Sequence, residues 1–146
     1  MTYGRALGKY DRIRVETASK MDLVLLCYEK TIQFLDKAKT YYQEGKFEQK
    51  QDMLNRALGI ISELNAALDY DKGGKIAENL ESIYNYMTRR LIQGDLQRDL
   101  TAFDESMRLM KDLKGAWMSI ATGSPIDAES EQPYEPARQI SLQMSA

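Results

Sequence analysis

Apolar residues in this chain return at a spacing of seven, in blocks divided by glycines, and that spacing leaves one kind of secondary structure open. In the first block Met21, Tyr28, Leu35 and Tyr42 stand seven apart, with Val24, Leu25, Thr31, Ile32 and Ala38 filling the turns between them. Residues three, four and seven apart share one side of an α-helix, whereas a half-buried strand would alternate. Ser19 is a good N-cap before this block, and Gly45 after it can take the left-handed conformation that ends a helix. A second helix is predicted from Phe47 to Asp69, with Phe47, Leu54, Ile61 and Leu68 on one stripe and Ala57 and Leu64 beside it. Gly73 and Gly74 then suit a chain reversal. A short third helix follows on Ile76, Leu80, Ile83, Met87 and Leu91 and is expected to close at Gly94. Asp95 is expected to cap a fourth, faced by Leu96, Leu100, Phe103, Met107, Met110 and Trp117 and ending before the TGSP stretch at 122–125.

Because the connections are short, sequential helices should run antiparallel, which predicts an all-α, up-down four-helix bundle. A chain of 146 residues suits one hydrophobic core, so residues 19–121 are read as a single bundle. Residues 1–18 form an N-terminal arm, with room for a short extra helix, and residues 122–146 a disordered tail. The arm carries Arg5, Lys9, Arg12 and Arg14 against Asp11 and Glu16, while the tail sets four acids against Arg138.

Composition excludes several classes of function. The chain has no histidine, which removes the commonest general base and the commonest metal ligand together. Its one cysteine, Cys27, cannot form an internal disulfide or a multi-thiolate site. No cofactor, metal or enzymatic activity is expected. A net charge of −2 argues against a nucleic-acid binder, which normally shows a basic face, and no apolar run is long enough for stable membrane insertion. The first residues lack the apolar core of a secretory signal, so a cytoplasmic location is expected.

Some apolar residues fall outside the main stripes. Leu23, Cys27, Phe34 and Tyr41 form a shoulder on the first helix, with Leu26 elsewhere again; Met53, Ile60 and Ala67 edge the second; Tyr86 and Ile92 leave the face of the third. Two readings stay open here. Each helix meets two neighbours and needs a broad face, or the shoulders form a groove for an extra amphipathic helix. Tyr10, Ile13 and Val15 could lay the arm over such a groove as a cap, and the same shoulders could bury themselves in a homodimeric scaffold.

Two stretches resemble one known family. VETASKMDLVLLCYEKTIQFL at 15–35 and ISELNAALDYDKGGKIAENLESIYNYMTRRL at 61–91 are similar to the flagellin-export chaperones, the FliS family, and the resemblance covers roughly residues 10–121. It implies an antiparallel helical bundle that binds the disordered C-terminal region of flagellin in the cytoplasm. The client would stay monomeric until the loaded chaperone meets the flagellar type III export gate. It also implies an N-terminal arm that covers part of the binding surface when flagellin is absent, which here falls on Tyr10 to Val15. On this reading Ile60, Leu80, Tyr84, Tyr86, Met87 and Arg90 line or support the flagellin groove, with Tyr84 inward and Tyr86 and Arg90 outward. The protein itself would be a monomer or a weak homodimer.

Overall fold

The computed structural model describes residues 19–122, with side chains through residue 120; the arm residues Tyr10, Ile13 and Val15 and the tail lie outside the described residues. Helix α1 spans Lys20–Gln43, α2 Phe47–Ala66, the single turn α3 Tyr70–Gly73, α4 Lys75–Leu96 and α5 Thr101–Thr122. There is no strand among the described residues. No described helix is long and apolar enough to cross a membrane.

Cross-helix pairs fix the topology. Between α1 and α5, Glu29 pairs with Lys114 and Lys39 with Asp104, so ten residues forward on one helix match ten back on the other. Between α2 and α4, Lys50 bonds Asp95 and Asn65 bonds Asn85, again in opposite senses. Tyr86 and Arg90 of α4 meet Glu105 and Asp99 of α5 in the same crossed order. The Arg56 guanidinium of α2 lies over the Phe34 ring of α1, and Tyr42 meets Phe47 edge-on at 5.5 Å. Each long helix is therefore antiparallel to two neighbours, in the ring α1, α2, α4, α5.

This ring explains the wide apolar arcs. Leu26, Cys27, Tyr28, Phe34, Leu35, Leu54, Ile60, Ile61, Leu80, Ile83, Tyr84, Met87 and Leu91 all enter one core with Phe103, Met110 and Leu113. Of the two readings of the shoulders, the broad face holds for Cys27, Phe34 and Ile60: all three are core residues, because α1 is flanked by α2 and α5, and α2 by α1 and α4. Burying a side chain of this size stabilises by about 1.5–3 kcal/mol. An exposed ion pair such as Arg56–Asp52 contributes about 0–1 kcal/mol, so packing and not surface charge holds the bundle.

At the centre the core is polar. Tyr28 and Tyr84, both buried, bring their hydroxyls to 2.7 Å, and Trp117 Nε1–H donates to Tyr28 Oη at 2.9 Å. These bonds join α1, α4 and α5 at one level. Lys50 is a second buried polar residue; its ammonium sits 2.6 Å from Asp95, bonds Gln51 and lies over the Tyr42 ring.

The helix ends show where sequence spacing misleads. Helix α1 starts as expected, with a capping box in which Ser19 Oγ accepts from Asp22 N–H and Asp22 accepts from Ser19 N–H. It ends on Gly45 at φ 75°, with Gly45 N–H bonded to Tyr42 O and Lys46 N–H to Tyr41 O. Helix α2 stops at Ala66 and not at Asp69, because Asp69 caps the extra turn α3 by accepting from Lys72 N–H. Gly94 does not close α4, which is a full 22 residues long. The glycine lies inside the helix where α4 crosses α5: a Cβ there would run into Cβ of Ala102 and lie 3.1 Å from Asp99 O. Asp95 consequently belongs to the last turn of α4 and pairs with Lys50; Asp99 accepts from Thr101 N–H at the start of α5 instead. Phe47 and Leu96, expected on core stripes, are 54% and 79% exposed because they stand at helix ends where the stripe runs past its neighbours.

The chain leaves α4 through the same hydrogen-bond pattern that ends α1, with Arg98 N–H to Asp95 O and Asp99 N–H to Gly94 O, but an arginine at φ 57° holds the left-handed position. Two opposite outcomes are expected in chemical denaturation. Gly94→Ala loses about 1–3 kcal/mol by overpacking, and Arg98→Gly gains about 1 kcal/mol by relieving the left-handed side chain. Tyr28→Phe is expected to cost about 1–3 kcal/mol by leaving the Trp117 N–H without its acceptor; an unchanged midpoint would show the hydroxyl junction to be dispensable.

Candidate functional site

Of the six residues expected to line or support the groove, four are buried, among them Tyr84, the one expected to point inward. Ile60, Leu80, Tyr84 and Met87 are core residues, so they can support a binding face but not present one. The outward pair is found where helical spacing puts it. Tyr86 and Arg90 stand one turn apart on the α5 side of α4, and both converge on Glu105: Tyr86 Oη–H donates to Oε2 at 2.6 Å and Arg90 Nε–H to Oε1 at 2.9 Å. Arg90 also reaches Asp99 and Thr101 Oγ1. The sequence does not mark Glu105 or Asp99 for this part, since nothing in a helical period says which residue of α5 faces Arg90. Leu23 and Tyr41, the remaining shoulder residues of α1, are partly buried.

Electrostatics follow from these contacts. The Tyr86 hydroxyl, and after it Arg90, hold the Glu105 carboxyl below its ordinary range. Asp99 is lowered first by the Thr101 hydroxyl and backbone N–H, then by Arg90. Burial, with the Glu63 charge behind it, pushes the Cys27 thiol up to about 12, so it is a protonated packing residue at neutral pH and not a nucleophile.

A second surface lies on the opposite flank of α4. The Asn65 Nδ2–H to Asn85 Oδ1 bond, 2.9 Å long, sets the level at which α2 and α4 face each other. Leu58 is seven residues before Asn65, and Ile92 seven after Asn85, so helical phase puts both on the sides of α2 and α4 that carry the Asn65–Asn85 bond. Phe47 lies eleven residues before Leu58, and Leu96 one turn beyond Ile92, which extends the row to the helix ends. Ile92 is 47% exposed, and with Phe47 and Leu96 it makes this seam an apolar strip open to solvent. In the other direction α2 stops at Ala66, while α4 continues the row with Glu81, one turn before Asn85, and then Glu78, both exposed. Tyr70 of α3 donates to Glu81 at 2.7 Å and closes that end.

An open apolar seam on an all-helical bundle is a surface against which another helix can dock. Residues 3–124 match the family model described as Flagellar protein FliS. The chain is 34% identical to the "Flagellar secretion chaperone FliS" of Salmonella typhimurium, over 77% of this chain and 87% of that one. It is 28% identical to "Flagellar secretion chaperone FliSB" of Pseudomonas aeruginosa, over 80% and 96%. It is 32% identical to the "Flagellar secretion chaperone FliS" of Escherichia coli, over 74% and 83%. The chain belongs to the FliS family, a family of flagellar chaperones and not of enzymes.

The lowered carboxylates make a pH prediction. A carboxyl whose pKa falls on folding stabilises the fold above its unfolded pKa and gives that up as pH drops through the folded value. Glu105 and Asp99 act in this sense, while Asp112, raised by burial, acts in the opposite one. In a carboxyl carbon NMR titration Glu105 should titrate below an ordinary glutamate, and Tyr86→Phe should move its midpoint back up. An unmoved midpoint would remove Tyr86 as the chief cause.

Proposed function

We propose that this chain is a cytoplasmic export chaperone that holds the disordered C-terminal region of flagellin as short helical segments. It keeps the client from polymerising early and delivers it to the flagellar type III export apparatus, meeting the export gate when loaded. Membership of the FliS family supports this reading, and one structural observation carries it: the exposed apolar side chains of Ile92 and Leu96 on the α2 flank of α4, with Phe47 exposed at the start of α2 and Leu58 partly buried. A row of that kind on two adjacent antiparallel helices is what an amphipathic helix lays its apolar face into.

The groove residues take different parts in this proposal. Ile60, Leu80, Tyr84 and Met87 act from the core by holding the helices at their spacing. Tyr86 and Arg90, on the other flank of α4, form a second docking edge for a client that wraps around more than one side. Tyr10, Ile13 and Val15 are proposed to cap the groove before the client arrives. The surface is then occupied by one client and not by a second copy, which makes the free protein a monomer or a weak homodimer.

Isothermal titration with a peptide covering about the last forty residues of flagellin should give saturable one-to-one binding, favourable enthalpy and a negative heat-capacity change, the signature of coupled folding and binding. A folded chain that leaves the peptide unbound, with a mass that rises with concentration, would put a homodimeric scaffold in its place.

A further inference from the structure

The α2–α4 seam is not uniform along its length, and its asymmetry gives it a direction. At the end formed by the start of α2 and the end of α4 it presents Ile92 and Leu96, with Leu58 partly buried beside them and Phe47 exposed at the start of α2 against Tyr42 of α1. Arg89, exposed one turn after Asn85, stands on the outer edge of this half. At the other end α4 presents the carboxylates of Glu81 and Glu78; Glu78 has Lys75 at 3.9 Å, and Glu81 accepts from the neutral Tyr70 hydroxyl. The Asn65–Asn85 bond lies between these halves, and Oδ1 of Asn65 is buried there without a hydrogen-bond partner. Lys50 and Asp95, beneath the apolar half, are taken up by each other. Along α4 the open edge therefore runs from negative charge at Glu81 to positive charge at Arg89 and apolar side chains beyond it.

We infer that the seam selects the direction of the segment it binds: an amphipathic client helix seats with apolar residues, spaced by three and four, over Leu58, Ile92 and Leu96, and with a basic residue at the end that reaches Glu81. Eleven residues separate Glu81 from Ile92, roughly 16 Å of helix, so a client helix of about three turns spans both. Tyr70, 47% exposed beside Glu81, gives the methylene stem of that basic residue a ring to lie along. The reverse orientation would bring the basic residue to Arg89 and Leu96 and leave apolar side chains against a carboxylate. Like charges and unpaired desolvated charges are costly, so the charged ends discriminate against the wrong direction more than they add raw affinity. This inference rests on the client-binding reading above.

The probe is the same flagellin C-terminal peptide, titrated into the full chain and into four variants shown by circular dichroism to be folded. Glu81→Lys and Ile92→Ser alter the seam. Tyr70→Phe removes the hydrogen bond to Glu81 while keeping the ring and the carboxylate, and Asp36→Lys makes the same charge change on the exposed side of α1. Glu81→Lys should weaken binding about tenfold at low salt, with the loss shrinking at high salt. Ile92→Ser should weaken it at both. Tyr70→Phe and Asp36→Lys should stay within about twofold, since the first leaves the charge in place and the second puts it where solvent screens it. Changing the peptide's basic residues to Glu one at a time should find one substitution that is harmful with the unmodified chain and is rescued by Glu81→Lys. Rescue of no substitution, or equal effects of Glu81→Lys and Asp36→Lys, would overturn the directional seam while Ile92→Ser still reported docking there. Peptide binding that neither seam variant disturbs would move the client elsewhere, which overturns the inference and leaves the chaperone reading standing. No binding by the unmodified chain would remove both.

Discussion

The hydroxyl junction of Tyr28, Tyr84 and Trp117 is the constraint on which the rest of the bundle turns. Apolar packing alone is nearly indifferent to sliding one helix along another by a turn, because any Leu or Ile then meets another. The buried Tyr28–Tyr84 hydroxyl pair, with the partly buried Trp117 N–H on it, resists such a slip, because each lost bond leaves a polar atom in the core without its partner. Because these residues come from α1, α4 and α5, their bonds set the level of three helices at once. The Lys50–Asp95 pair does the same for α2 against α4 near the far end. A buried ion pair contributes little net stability, but it disfavours registers in which its members part.

With register fixed in this way, the surface available to a client is what the ring leaves over. Helix α1 is held between α2 and α5, and half of its shoulder, Cys27 and Phe34, is used up in the core. Helix α4 behaves differently. Its α5 flank carries the Tyr86–Glu105–Arg90 bonds, with Tyr86 still at the surface, and the close crossing at Gly94, whereas its α2 flank keeps Ile92 and Leu96 open. One helix thus combines a core face, a polar latch and an apolar edge. That combination accounts for the crowding of aromatic and basic residues between Tyr84 and Arg90.

Much of the fold is legible in the chain because helical periodicity is a local property. The heptads of α1 and the Ser19 and Gly45 signals give that helix nearly to the residue, and the short connections give the antiparallel order. The misses share a cause. Gly94 reads as a stop in isolation, yet its purpose is the approach of Ala102 from a different helix. Asp95 reads as a cap, yet its partner Lys50 lies 45 residues away. Phe47 and Leu96 carry the correct phase for the core but stand beyond the end of their neighbours. For the site, Tyr86 and Arg90 are found because phase alone turns them outward, while Ile60, Leu80, Tyr84 and Met87 fall on a face that the ring closes.

The sequence by itself determined that the chain is helical, where its helices begin and end to within a few residues, which class of chemistry it lacks, and through two stretches which family it resembles. These follow from spacing, capping and residue type, all read along the chain. Only the tertiary structure decided which broad apolar arc is spent on a second neighbour and which stays open. Accessibility depends on what lies across the gap, and that is set by the crossing of helices whose residues are far apart in sequence. The candidate binding surface therefore stays with α2 and α4, on the open seam between them and not on their buried faces.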